Sequence, residues 1–157
     1  SVASWLVFVA VGFAAFLLFK LQAHARRRRH HEGYPRYRAA IERAKATRDR
    51  AEKAAAYREA AEIALRSLER PNLAASLARR ADRLSPETHE GLGVLVEAMG
   101  QAQRLRGLER LLWRKLREVE PGSPRHRKIF GELLALYGGP LKDPDRAEAL
   151  RRLYPIE

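Results

Sequence analysis

An uncharged apolar run near the start of the chain, over residues 2–19, constrains the fold more than any other feature. An α-helix rises about 1.5 Å per residue, so a helix over this run, extended to Leu21, covers roughly the 30 Å hydrocarbon core of a bilayer. An apolar stretch of this length without charges is typical of a membrane-spanning segment. The sequence therefore predicts a transmembrane helix over residues 1–21.

The two ends of this run carry different residues, and the difference predicts the orientation of the helix in the membrane. An indole near the first end suits the headgroup interface, whereas positive charge collects at the second end. The predicted membrane-interface residues are Trp5, Lys20, Arg26, Arg27, Arg28 and Arg29. A signal peptide carries its positive charge before the apolar run, so we expect no cleavage, although Ala23-His24-Ala25 resembles a cleavage site. The positive-inside rule predicts an inner-membrane protein with its N-terminus outside and its C-terminal part in the cytoplasm.

The arginine run is followed by His30 and His31, and the chain carries a formal net charge of +12. Short basic runs contact nucleic acids, but basic residues immediately beyond a span also set topology and attract anionic lipid headgroups. We favour the lipid interpretation because of the position of the run. The adjacent histidines and Glu32 do not complete a metal cage. Residues 22–33 are therefore predicted to be a solvated basic linker.

The remainder of the chain is predicted to be all-α. Gly33, Tyr34 and Pro35 interrupt the helical pattern, and Pro35 suits the first residue of a new helix. Residues 34–54 are predicted to be a lead helix or stalk, and residues 34–70 form either one helix or two. Apolar residues then recur at helical spacing, without any period-two alternation. The predicted helices cover residues 73–84, 87–102, 108–119, 124–137 and 144–154, and the predicted core contains Leu77, Leu95, Leu112, Leu116, Leu133 and Leu150.

A sequence pattern recurs with a period of about 34 residues. Three segments, ADRLSP, LREVEP and LRRLYP, end at Pro86, Pro121 and Pro155. This spacing resembles the tetratricopeptide repeat family, in which a small residue, an aromatic residue and a closing proline recur. The matching residues are Ala74, Ala81, Pro86, Trp113, Pro121, Gly131 and Pro155. The departures are Arg58, Gly93 and Arg127 in place of an aromatic residue, and Glu109 and Asp143 in place of a small one.

The resemblance covers about residues 55–155 and implies a stack of antiparallel helix pairs, which makes residues 55–157 the predicted repeat domain. Proteins of this kind bind other proteins on a concave surface. By the repeat pattern, the candidate groove residues are Arg66, Gln101, Arg125 and Lys128. The resemblance therefore implies protein partners, and the basic groove residues favour an acidic partner segment.

Composition and motifs argue against an enzyme. The absence of cysteine excludes disulfides, thiolate catalysis and iron–sulfur clusters. None of the five histidines lies in a recognisable catalytic or cofactor-binding motif, so we expect no cofactor, no metal and no small-molecule substrate. The sequence predicts a membrane-anchored interaction scaffold, as an accessory subunit or assembly factor of a larger membrane complex. Two alternatives stay open, a tethered adaptor for a soluble acidic partner and a membrane-bound nucleic-acid binder.

Overall fold

The computed structural model describes residues 2–155, with side chains from Ser4 onward, and every regular element in this range is an α-helix. The all-α prediction is therefore confirmed. The outer limits of the predicted domains, residues 1 and 157, lie outside the described residues. The helices are α1 (Val2–Ala46), α2 (Arg50–Arg66), α3 (Pro71–Leu84), α4 (Leu92–Gln101), α5 (Leu105–Glu118), α6 (Pro124–Gly138) and α7 (Pro144–Leu153).

The first helix is much longer than the sequence predicts. α1 runs for 45 residues without interruption and contains Pro35 in its interior. The prediction that residues 22–33 form a linker, with a helix break at Gly33, Tyr34 and Pro35, is wrong. Gly33 has a different role, because a Cβ atom added to it would lie 2.6 Å from Cβ of Ser67. The glycine lets the turn after α2 approach α1 closely.

The segment over residues 34–70 forms parts of two helices, which settles the choice left open by the sequence. α1 ends at Ala46, and Asp49 caps α2 by accepting hydrogen bonds from the backbone N–H groups of Ala51 (2.7 Å) and Glu52 (3.0 Å). An Asp side chain at this position satisfies donors that the first helical turn leaves free. The predicted domain boundary at residue 55 therefore falls inside α2.

Three of the six helices after α1 begin at a proline. Pro71, Pro124 and Pro144 each lie in the first turn of a helix, where the missing N–H costs nothing. The prediction of a helix start at residue 87 is wrong, since α4 begins at Leu92. Residues 85–91 instead form a turn in which the Thr88 hydroxyl donates to the carbonyl oxygen of Ser85 (3.1 Å).

The core follows the predicted apolar faces. All six leucines of the predicted core are buried, in one cluster that extends from Ala40 on α1 to Leu150 on α7. Each helix packs against the next one along the chain, and α2 also contacts α4. A C-terminal body, α2–α7, is thus joined to the second half of α1 by continuous packing.

The turns within three successive helix pairs share one backbone feature. Glu69 follows α2, Gln103 follows α4 and Lys142 follows α6, with φ angles of 51°, 58° and 48°. These values lie in the left-handed region, which non-glycine residues rarely adopt. The same backbone conformation thus follows α2, α4 and α6, that is, every second helix of the body.

Candidate membrane-facing site and partner surface

The first part of α1 presents apolar side chains on all sides. Every side chain from Ser4 to Leu21 is exposed, with Phe8 at 78% and Phe19 at 70%. This part of α1 is long and apolar enough to cross a membrane, and none of it is buried inside the protein. Apolar surface of this extent is costly in water and favourable in hydrocarbon.

The predicted interface residues lie at the two ends of this apolar segment. Trp5 is 70% exposed near the first end. At the second end, Nζ of Lys20 lies 5.6 Å from the centroid of the Phe16 ring, so the cation extends along the apolar surface. The four arginines follow on the same continuous helix and are all exposed. Because successive residues turn by about 100°, the arginines point to different sides of α1.

One of these arginines joins α1 to the C-terminal body. Arg26 forms an ion pair with Glu69, the left-handed residue in the turn between α2 and α3. The turn itself is fixed by the backbone N–H of Arg70, which donates to the carbonyl oxygen of Ala64 (2.8 Å). Gly33 is buried beneath the same turn. The α2–α3 turn is therefore held against α1 between about one and three helical turns beyond the apolar segment.

A cleft of about 1180 Å³ lies between α1 and this turn. Basic and aromatic side chains from the consecutive turns of α1 form one wall, and Glu69 is the single acidic residue in the lining. The lining residues are Phe19, Gln22, Ala23, Arg26, Arg27, Arg29, His30, His31, Tyr34, Pro35 and Glu69. Arg28 is exposed but does not line the cleft.

The candidate groove residues fall into two separate places. Arg66 and Gln101, at the ends of α2 and α4, both donate to the carboxylate of Glu97, at 3.2 Å and 3.4 Å. Arg125 and Lys128 lie instead in the first turns of α6. The structure thus assigns Arg66 to a network within the chain.

The α6 pair is differently placed. Arg125 and Lys128 are exposed, and neither has a hydrogen bond or ion pair to another residue in the described part of the chain. Burial lowers the pKa of His89, and the positive charges of Arg125, Lys115 and Lys128 lower it further. This imidazole is therefore neutral at pH 7, and the surrounding positive charge comes from the arginine and lysine side chains.

A polar cluster that the sequence did not predict lies between α5, α6 and α7. Glu109 is 7% exposed and accepts hydrogen bonds from the Tyr137 hydroxyl (2.8 Å) and Nη1 of Arg106 (3.0 Å), and it pairs with Arg146. Nε1 of Trp113 donates in turn to the Tyr137 oxygen (2.7 Å). Glu109 falls on the apolar face of α5, three residues after Arg106, and this pattern in the sequence could have predicted a buried ion pair.

Two opposing effects set the charge of this carboxyl group. Burial alone raises the pKa of Glu109, but hydrogen bonds from Tyr137, Arg106 and Arg146 outweigh burial and hold the pKa below its usual value. Glu109 is therefore ionised at neutral pH. The cluster joins three helices and accounts for the glutamate that departs from the repeat pattern.

Comparisons with protein-family models, with curated proteins and with solved structures find no match to this chain.

Proposed function

We propose that the protein is a membrane-anchored interaction scaffold, built into a larger membrane complex as an accessory subunit or assembly factor. One observation carries the proposal, namely the fully exposed apolar segment that continues, in the same helix, into the surface on which α2 packs. Such an element ties a helical body to a bilayer without an intervening flexible segment.

The basic flank supports an orientation for this anchor. Lys20 and four arginines follow the apolar segment on one side, and residues of this type are retained on the cytoplasmic side of inner membranes. We accordingly place the C-terminal body in the cytoplasm, with the arginines at the anionic headgroups.

The architecture of the body supports interaction rather than catalysis. Its three helix pairs, with the same turn in each and a contact between α2 and α4, are what a short tetratricopeptide-like array would contain. Arrays of this kind offer extended surfaces to other proteins. No catalytic step, cofactor or nucleic-acid partner forms part of the proposal.

A second candidate function is a tethered adaptor that recruits a soluble acidic partner. The exposed and unpaired side chains of Arg125 and Lys128 favour it, because free guanidinium and ammonium groups bind carboxylates strongly. The two candidates place the decisive contacts on different parts of the chain.

Purification in mild detergent, followed by mass spectrometry of the proteins that accompany the full chain, tests both candidates. A resident subunit keeps a stoichiometric companion after Arg125→Glu with Lys128→Glu, and loses it when residues 4–21 are replaced by an unrelated apolar helix. The small residues Ala10 and Ala14 allow close approach of a neighbouring helix, and the replacement removes them.

An adaptor gives the opposite pattern, with loss of the companion after the double charge reversal alone. Arg114→Glu with Arg117→Glu is the matched control, because it makes the same change in charge at exposed positions on α5 instead of α6. Recovery of the chain without any stoichiometric companion contradicts both candidates.

A further inference from the structure

We propose that the cleft between α1 and the α2–α3 turn binds the headgroup of one anionic phospholipid. This inference rests on the proposed membrane anchor and adds a defined ligand site to it. The relevant features of the cleft are its depth relative to the bilayer, the chemistry of its lining and the position of Glu69.

The end of the cleft nearest the apolar segment lies at the depth of the lipid headgroups. Phe19 belongs to the apolar segment, and Arg26 and Arg29 lie five and eight residues beyond Leu21, or about 8 Å and 12 Å along the helix. The headgroup layer on each side of a bilayer is roughly 5–8 Å thick. Side chains of a helix tilt toward its N-terminus, which is the membrane side of α1, so both arginine side chains extend back toward the lipid phosphates.

The lining fits both parts of a phospholipid. Arg26 and Arg29 supply planar guanidinium groups, which bind phosphate oxygens through paired hydrogen bonds. Phe19 and Ala23 add an apolar surface toward the membrane, where the glycerol and the first acyl carbons would lie. A free phosphate would use only the first of these surfaces.

Glu69 is the feature that distinguishes this cleft from a general basic surface. Its ion pair with Arg26 is exposed, with side-chain exposures of 38% and 67%, and such pairs contribute little in water. A lipid phosphate can therefore replace the Glu69 carboxylate at Arg26. Because the ion pair bridges α1 and the α2–α3 turn, occupation of the cleft is coupled to the contact between the anchor and the body.

The test uses the full chain in nanodiscs of phosphatidylcholine that contain a minor fraction of phosphatidylglycerol, with native mass spectrometry to count the lipids retained. We expect one phosphatidylglycerol per chain.

Arg29→Gln should lower the apparent affinity about tenfold, whereas Arg28→Gln should change it by less than about twofold. These two exposed arginines are neighbours, and they differ in that only Arg29 lines the cleft. Glu69→Gln should raise the affinity by about threefold, because it releases Arg26.

Equal losses from Arg28→Gln and Arg29→Gln would show diffuse attraction to the surface and overturn the site. In a second experiment, inorganic phosphate is added to nanodiscs of phosphatidylcholine alone, and Arg29-dependent binding of phosphate would assign the cleft to a free anion instead of a lipid.

Alkaline extraction of native membranes separates the proposed anchor from the proposed lipid site. A chain that is released refutes the anchor, while a chain that stays but retains no phosphatidylglycerol refutes only the cleft.

Discussion

At the residue scale, the role of a glycine depends on the space that a Cβ atom would meet at its position. Gly33 was expected to interrupt a helix, but it lies inside α1 at the closest approach of the α2–α3 turn. Gly131 lies inside α6 with open space around the position of a Cβ atom. The two residues share a helical environment and differ in the space available to a methyl group.

This difference predicts opposite effects of the same substitution. Gly131→Ala should raise the free energy of unfolding by about 0.5–1 kcal/mol, because alanine favours the helix. Gly33→Ala gains the same preference but drives a methyl group into Ser67, so it should lower the free energy of unfolding by about 1 kcal/mol or more. Urea denaturation in mild detergent, followed by circular dichroism, measures both. A stabilising Gly33→Ala would contradict the close approach.

Glu109 provides a second residue-scale prediction, on the dependence of stability on pH. Because the pKa of this carboxyl group is lower in the folded chain, its contribution is present above the unfolded pKa of about 4.3 and is lost as the pH falls through the folded value. Glu109→Gln should cost about 1.5–3 kcal/mol at pH 7 and flatten the acid limb of the stability curve.

The control for this prediction is Glu118→Gln, which alters an exposed carboxylate on the same helix. It should leave the stability within about 0.5 kcal/mol of the wild type at pH 7. If the stability of the wild type and of Glu109→Gln falls in the same way at acid pH, the charge of the Glu109 carboxylate does not contribute to stability and the prediction is wrong.

At the element scale, the apolar faces were predictable, but the helix break predicted at Pro35 does not occur. Leucines at helical spacing identified the core of α3–α7, and three prolines marked helix starts. Pro35 lies inside α1 and follows Tyr34, whereas Pro124 and Pro144 follow the capping residues Ser123 and Asp143. A tertiary difference adds to this local one, since α2 packs along α1 beyond the proline, where Ala40 and Ala44 are fully buried. Local sequence does not contain that contact.

The start of α4 and the cleft were not predicted, because both depend on contacts between residues that are far apart in the sequence. Residues 85–91 are held as a turn by Arg58 of α2, which donates to Thr88 (3.3 Å) and to Glu90 (3.0 Å). The cleft exists because the chain places Glu69 beside Arg26, 43 residues earlier. The four arginines were identified from the sequence, whereas Glu69, the acidic partner of Arg26, was identified only in the folded chain.

The predicted apolar face of α5 yields a direct test of packing. Leu112 is fully buried, so Leu112→Ala should lower the free energy of unfolding by about 2–5 kcal/mol through lost contacts and a residual cavity. Leu153→Ala, at a position that is 65% exposed on α7, is the matched control and should change it by less than about 0.5 kcal/mol. Equal effects at the two positions would mean that the buried face is misassigned.

At the scale of the whole molecule, the anchor and the helical body form one unit. The continuous α1 and the close approach at Gly33 fix the position of the body along the helix that carries the apolar segment. A scaffold anchored as proposed would therefore present its surfaces at a fixed distance from the bilayer. A flexible linker over residues 22–33 would instead let the body explore a wide volume.

The distance between spin labels on α1 tests this central claim most directly. The chain contains no cysteine, so Gln22→Cys with Lys45→Cys places labels at two exposed positions only. In nanodiscs, an unbroken helix predicts a narrow distribution of distances centred near about 35 Å, from 23 residues at about 1.5 Å each. A broad distribution with a shorter mean distance would show that the anchor is joined to the body by a flexible segment, and would contradict the account.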